Sequence, residues 1–208
     1  SPELTTELYH TAKAVNEEIY GNRIVLFAPL YISNLCSNEC LYCAFRKSNT
    51  EVTRRALSRD EILEETRIIL RQGHKRVLMV AGEAYPGSGI DYVLDAIDAI
   101  YEAREGGGNI RRVNVNLAPL SVEDFRRLKE RHIGTFQLFQ ETYHRPTYES
   151  VHLAGPKRDL DWRASSLDRA MLAGIDDVGM GLLYGLYDWR YETLALMMHI
   201  AHLEERFG

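Results

Sequence analysis

Apolar residues recur along this chain in two alternating rhythms. Leu8, Ala12, Val15 and Ile19 repeat at helical spacing and predict a helix over residues 4–20. Arg23 to Ser33, rich in Ile, Val, Phe and Tyr, reads as a buried strand. Ser58 opens a second helix, with Glu61 three residues on completing a capping box. That helix carries Ile62, Thr66, Ile69 and Leu70 on one face and stops at Gly73. Arg76 to Val80 is a second strand. It is followed by a helix carrying Val93, Ile97, Ile100 and Tyr101 and closed by Gly106-Gly107-Gly108. Arg111 to Leu117 is a third strand, and Ser121 caps a helix with Phe125 and Leu128. Gly134 to Gln140 and Asp177 to Tyr184 are the fourth and fifth strands, separated by a helix over about 160–172. A last helix spans about 189–206.

Strands alternating with helices predict parallel βα units in an α/β fold. Strands this continuously apolar fit a sheet covered on both faces. A closed barrel of this kind has eight units and about 250 residues, whereas five units are visible here. The expectation is a partial (β/α) TIM-type barrel over residues 23–208, preceded by a helical segment over 1–22. A doubly wound open sheet is the structural alternative. No internal repeat, linker or low-complexity tract is visible.

Composition adds exclusions. Of 208 residues, 25 are basic and 30 acidic, a net charge of −5, so no nucleic-acid partner is expected. The pairs Arg54-Arg55 and Arg111-Arg112 are short and read as solvated faces. No apolar run approaches the roughly 18 residues of a membrane span, and the stretch from Ser1-Pro2-Glu3-Leu4 lacks a charged region followed by an apolar one, so no secretory signal is visible. All three cysteines lie within eight residues. An odd, clustered set cannot build a disulfide framework and points instead to metal in a reducing cytoplasm.

These cysteines, Cys36, Cys40 and Cys43, have the spacing C-x3-C-x2-C at the end of the first strand. A 4Fe–4S cluster normally takes four thiolates. Three would leave one iron open, and an open metal position is a catalytic feature. Two other readings compete. A structural zinc wants four ligands, and the nearest later histidine is His74, beyond a helix. An electron-transfer cluster would normally add a fourth cysteine. On strand three, Asn114 and Asn116 alternate and so share a face. If that face is a barrel lumen, they are polar where barrels usually pack Val, Ile or Leu. They are therefore candidate substrate contacts.

This cysteine loop after the first strand of a parallel barrel resembles the radical S-adenosylmethionine (SAM) superfamily. The resemblance implies a 4Fe–4S cluster whose open iron chelates SAM. Reduction then cleaves the cofactor's C5′–S bond to give a 5′-deoxyadenosyl radical. It also implies cofactor-binding roles for further residues. Tyr42 matches the aromatic position near the adenine. Gly82-Glu83, after strand two, matches the "GE" pair that binds the amino group. Glu141, at the end of strand four, suits the ribose hydroxyls, and Arg163 suits the carboxylate. Strand five, with Met180 and Leu182, matches the adenine edge, which makes contact through its backbone.

Longer stretches narrow the resemblance. Gly21-Asn22-Arg23, Ala28-Pro29-Leu30-Tyr31, Gly73-His74-Lys75-Arg76 and the run from Arg111 to Leu120 are similar to the tyrosine-cleaving FeFe-hydrogenase maturases. Gln140-Glu141-Thr142-Tyr143-His144 and the run Gly174 to Gly179 extend the match. The 2-iminoacetate synthases of thiamine thiazole biosynthesis are the sister family and fit less well around residues 74–76 and 111–120. The maturase resemblance implies a carbon–carbon lyase that splits L-tyrosine at Cα–Cβ into p-cresol and dehydroglycine. It implies a reductant such as flavodoxin or ferredoxin, and other hydrogenase maturases as partners. In that family a second cluster, on a C-terminal domain, turns dehydroglycine into CO and cyanide. Its cysteines do not occur in this sequence.

Overall fold

The computed structural model describes residues 1–87 and 89–208. In chain order, helix α1 (Pro2–Tyr20) precedes strand β1 (Ala28–Ser33), the short β2 (Glu39–Cys40), α2 (Arg59–Arg71), β3 (Arg76–Ala81) and α3 (Ile90–Glu102). A small hairpin follows, β4 (Arg104–Glu105) and β5 (Gly108–Asn109), then β6 (Arg112–Asn116), α4 (Val122–Lys129) and β7 (Phe136–Glu141). The remainder is α5 (Arg145–Val151), β8 (His152–Ala154), α6 (Leu160–Ala164), α7 (Ser166–Leu172), β9 (Val178–Leu182) and α8 (Trp189–Phe207).

Strands β1, β3, β6, β7 and β9 pair in that order, all parallel, as the alternation of strands and helices predicts. In β1, β3, β6 and β7 alternate residues are buried in the core with the helices, whereas all of β9 is half-buried. Leu30, Ile32, Val77, Met79, Val113, Val115, Phe136 and Leu138 pack there with Ile62, Val93, Ile97, Phe125, Leu128 and Leu167. The intervening residues, among them Tyr31, Leu78, Val80, Asn114, Asn116 and Phe139, are half-buried or exposed. The expectation of a sheet covered on both faces therefore holds for one face only. The other face is open and partly polar.

Local rules account for most of the elements. Ser58 and Glu61 form the expected capping box, and α2 buries Ile62, Thr66, Ile69 and Leu70. Asp188 caps α8 and Ser121 caps α4. Two boundaries and the burial of one helix differ from expectation. Strand β1 begins at Ala28, which pairs with Val77 one residue into β3. The apolar residues before it have no partner strand, and Ile24 is 83% exposed. Helix α1 forms over the predicted residues but buries none of them. The helix expected over 160–172 breaks at Ser165. The Ser165 hydroxyl donates back to the Asp161 carbonyl (2.6 Å) and competes with the helical ladder. Among the described residues no helix is long and apolar enough to cross a membrane.

Candidate active site

The cysteine loop leaves the C-terminal end of β1. Cys36 and Cys43 are partly exposed, Cys40 is buried, and all three are free thiols. Burial pushes the Cys40 thiol up to about 11. The loop is fastened from a distance: β2 pairs antiparallel with β8, placing Cys40 opposite His152. His152 Nδ1 lies 2.8 Å from the Tyr148 carbonyl, which only accepts, so that nitrogen carries the proton. Its Nε2 therefore accepts from the Tyr42 hydroxyl at 2.7 Å. Burial lowers the His152 pKa to about 4 and keeps the ring neutral near pH 7. Replacing Tyr42 by phenylalanine strands this buried acceptor. A loss of about 1–3 kcal/mol of unfolding free energy is expected, read by urea denaturation.

Gly82 presses against the same loop. A Cβ at this position would collide with the Leu35 carbonyl, and Gly82 N–H donates to Ser33 O at 2.8 Å. Backbone contact on one side and pairing on the other leave no room to shift. Gly82→Ala is expected to displace the loop from β3 and lower the melting temperature by several degrees, measurable by circular dichroism.

The neighbouring Glu83 is the centre of a buried charge array. Its Oε2 accepts from Asn38 Nδ2 (2.8 Å) and its Oε1 from Arg163 Nη1 (2.9 Å). The Arg163 and Lys157 cations and these bonds hold the Glu83 carboxyl below the usual carboxylate range, against the opposing effect of burial. Arg163 Nε donates to the Phe139 carbonyl at 2.7 Å, which locks the guanidinium against the end of β7. Lys157 Nζ donates to Glu141 Oε1 at 2.7 Å and lies 4.0 Å from Glu83. Glu141 itself has φ +72° where the pairing of β7 with β9 shifts register. This left-handed turn is costly for a non-glycine residue. Glu83, Lys157 and Arg163, with Ala118, Pro119, Pro156 and Trp162, line a cavity of about 160 Å³.

The structure thus brings Glu83, Glu141 and Arg163 together beside the cysteine loop. Tyr42 belongs to the same cluster, with the Lys157 ammonium 5.7 Å from its ring centre. Met180 and Leu182 lie in β9. The Met180 side chain lines a separate cavity with Met171, Ile200 and Leu203, so only its backbone can serve the open face. Gly179 and Gly181 accommodate neighbours: a Cβ on Gly181 would come within 2.5 Å of the Phe139 ring. Asn114 and Asn116 share the open face but differ. Asn114 Oδ1 accepts from Arg112 Nε (3.1 Å) and Thr135 N–H (3.0 Å). The Asn116 side chain has no hydrogen bond among the described residues.

Sequence reasoning missed Lys157 and Asn38. Lys157 is buried, and its backbone N–H donates to Asn38 Oδ1 at 2.9 Å across 119 positions of sequence. Asn38 is fully buried between Cys36 and Cys40, so one amide joins the cysteine loop to both Glu83 and the Lys157 segment. The one available signal was its place inside the cysteine spacing.

Residues 30–200 match the Radical SAM superfamily. The chain belongs to that superfamily. It is 33% identical over 202 residues to 2-iminoacetate synthase of Escherichia coli K12, covering 97% of this chain and 52% of that protein. A crystal structure of HydG, a maturase of the FeFe-hydrogenase, superposes with a TM-score of 0.97 and 53% identity, covering 100% of this chain and 46% of HydG. HydG from Carboxydothermus hydrogenoformans gives 0.92 and 47%, over 99% of this chain and 47% of that one. Methylornithine synthase shares the fold at a TM-score of 0.77 and 21% identity. The chain spans about half the length of the curated relatives it matches.

Membership of this superfamily implies a 4Fe–4S cluster and SAM, and the residues present fit both. Three thiols on one loop supply the donor set, and the Phe45 N–H donates to Cys43 Sγ at 3.3 Å, a contact that stabilises thiolate. Among the described residues no three His, Cys, Asp or Glu side chains converge on a single-ion site. A cluster does not require that, because its thiolates bind separate irons. For a zwitterionic cofactor, the cavity offers a carboxylate and two cations side by side.

Proposed function

We propose that this chain is the SAM-binding core of a radical tyrosine lyase of the FeFe-hydrogenase maturase type. The observation that carries the reading is the charge array built from the cysteine loop, Glu83, Glu141, Lys157 and Arg163 at one end of a parallel sheet. That end is where enzymes of barrel type assemble their chemistry. The 53% and 47% identities to HydG, spread over the whole chain, support the maturase branch.

In this reading Cys36, Cys40 and Cys43 hold three irons and leave the fourth open. The bound cluster and SAM together supply a 5′-deoxyadenosyl radical. Glu83 accepts from the cofactor's ammonium group, Arg163 clamps its carboxylate and Glu141 takes the ribose hydroxyls. Tyr42, with the backbone of Met180 and Leu182, borders the adenine. Asn116, free on the open face, contacts L-tyrosine, and Asn114 shapes the floor beneath it. Tyrosine is split at Cα–Cβ into p-cresol and dehydroglycine. A flavodoxin or ferredoxin supplies the electron, and the other hydrogenase maturases receive the product.

The test is anaerobic reconstitution of the protein carrying this chain, followed by SAM, reductant and L-tyrosine. Release of p-cresol with 5′-deoxyadenosine is expected; 5′-deoxyadenosine without p-cresol would overturn the tyrosine assignment. A second reading, 2-iminoacetate synthase, draws on the 33% and 34% identities over 97% and 94% of this chain. It predicts p-cresol with no CO or cyanide, whereas the maturase reading predicts both from a protein that also carries the second-cluster domain and neither from these 208 residues alone.

A further inference from the structure

The adjacent arginines Arg54 and Arg55 read in sequence as one solvated basic pair, yet the structure separates them. Arg55 stays at the surface and pairs with Glu61. Arg54 turns inward. Its Nη1 donates to the carbonyls of Asn34 (2.8 Å) and Phe45 (3.1 Å), and its Nη2 to those of Arg46 (2.6 Å) and Asn49 (3.2 Å). These four bonds use four of the five N–H donors of a guanidinium. All four go to backbone, and no carboxylate lies within salt-bridge distance of Arg54 among the described residues.

The acceptors have a pattern. Asn34 lies two residues before Cys36, and Phe45 lies two residues after Cys43. One side chain therefore ties the entrance of the three-cysteine segment to its exit. The segment carrying Arg54 is itself anchored on Asn34. Asn34 N–H donates to Arg55 O (3.0 Å), Asn34 Oδ1 accepts from Arg55 N–H (2.7 Å), and Asn34 Nδ2 donates to Thr53 O (2.7 Å). An isolated bridge between Ser33 and Ala56 closes the strap. Four carbonyls converging on one point repel one another unless a cation sits among them. Lysine has three donors on a single nitrogen and cannot fork to four separated acceptors.

We propose that Arg54 is a positioning residue that holds the cysteine segment in the shape that accepts its cluster. The proposal rests on the reading of Cys36, Cys40 and Cys43 as cluster ligands. The test compares the wild-type chain with Arg54→Lys and Arg54→Met after anaerobic reconstitution. Bound iron and sulfide, the rate of iron release to a ferrous chelator, and the EPR spectrum of the reduced cluster are measured alongside far-UV circular dichroism. The expected result is unchanged secondary structure with iron released at least about tenfold faster in both variants, the scale typical of losing a residue that orients metal ligands. Broadened EPR lines are expected even in Arg54→Lys, which keeps the charge. Release rates and EPR spectra equal to wild type would overturn the proposal. If Arg54→Met does not fold, Arg54→Lys decides by the same two readouts; loss of fold in both would assign Arg54 to the fold at large and overturn the specific role. A wild-type chain that takes up no iron would overturn the cluster reading instead, and the proposal with it.

Discussion

Cys40→Ala is expected to reduce SAM cleavage to background and to abolish the 4Fe–4S absorption and EPR signals. Cys40 is 4% exposed and lies in β2, held opposite His152 by the ladder to β8. It is thus the thiol with the most fixed backbone of the three. Two remaining thiolates on a loop cannot hold the cluster, and these 208 residues contain no further cysteine to substitute. The fold itself should survive, since removing one buried sulfur costs only about 1–2 kcal/mol. The measurement is iron content and 5′-deoxyadenosine formation after reconstitution, with circular dichroism as control. Full cleavage with normal iron would remove the loop from the site.

Arg163→Met should weaken SAM binding by about tenfold to a hundredfold, the 1.5–3 kcal/mol of a charge-assisted bond. The structure adds a second effect. Arg163 is only 3% exposed, and its loss leaves the Phe139 carbonyl without its donor and Glu83 without its nearest cation. Breaking a buried pair on one side costs about 3–5 kcal/mol, so a clear drop in stability should accompany the loss of affinity. Glu83→Gln removes the charge that a cofactor ammonium would meet, and it is expected to weaken SAM binding as well. Its single amide oxygen can keep the Asn38 or the Arg163 contact but not both, so a drop in stability should accompany this loss too. Equilibrium dialysis with SAM and urea denaturation of both variants read the outcomes. An unchanged dissociation constant in Arg163→Met would take that residue out of the site.

Most of the sheet was legible because each strand and helix carries its own apolar period. The caps Ser58 and Ser121 are local signals, and the cysteine spacing is a local signal as well. Residues whose roles are set by distant partners were not legible. α5 and β8 are short, so neither shows a period, and β8 exists because its partner is the cysteine loop more than a hundred positions away. Lys157 sits in an ordinary basic stretch, and nothing local says that its ammonium will meet Glu141. Arg54 and Arg55 are chemically identical neighbours, and only the path of the chain sends one inward. Ile24 to Leu26 show the converse error: apolar character predicted a strand, but in the register of β1 they lie before the start of β3 at Arg76.

The parallel sheet has two outer strands: β1 is covered at its C-terminal end by the bridge from Ser33 to Ala56, whereas β9, among the described residues, is paired along one side only. An unpaired strand edge is a template for adding another strand from any chain that presents one. Beside it, the open face exposes Tyr31 and Phe139. For this polypeptide handled on its own at high concentration, edge-to-edge association of β9 with a second copy is the expected outcome, which light scattering reads directly.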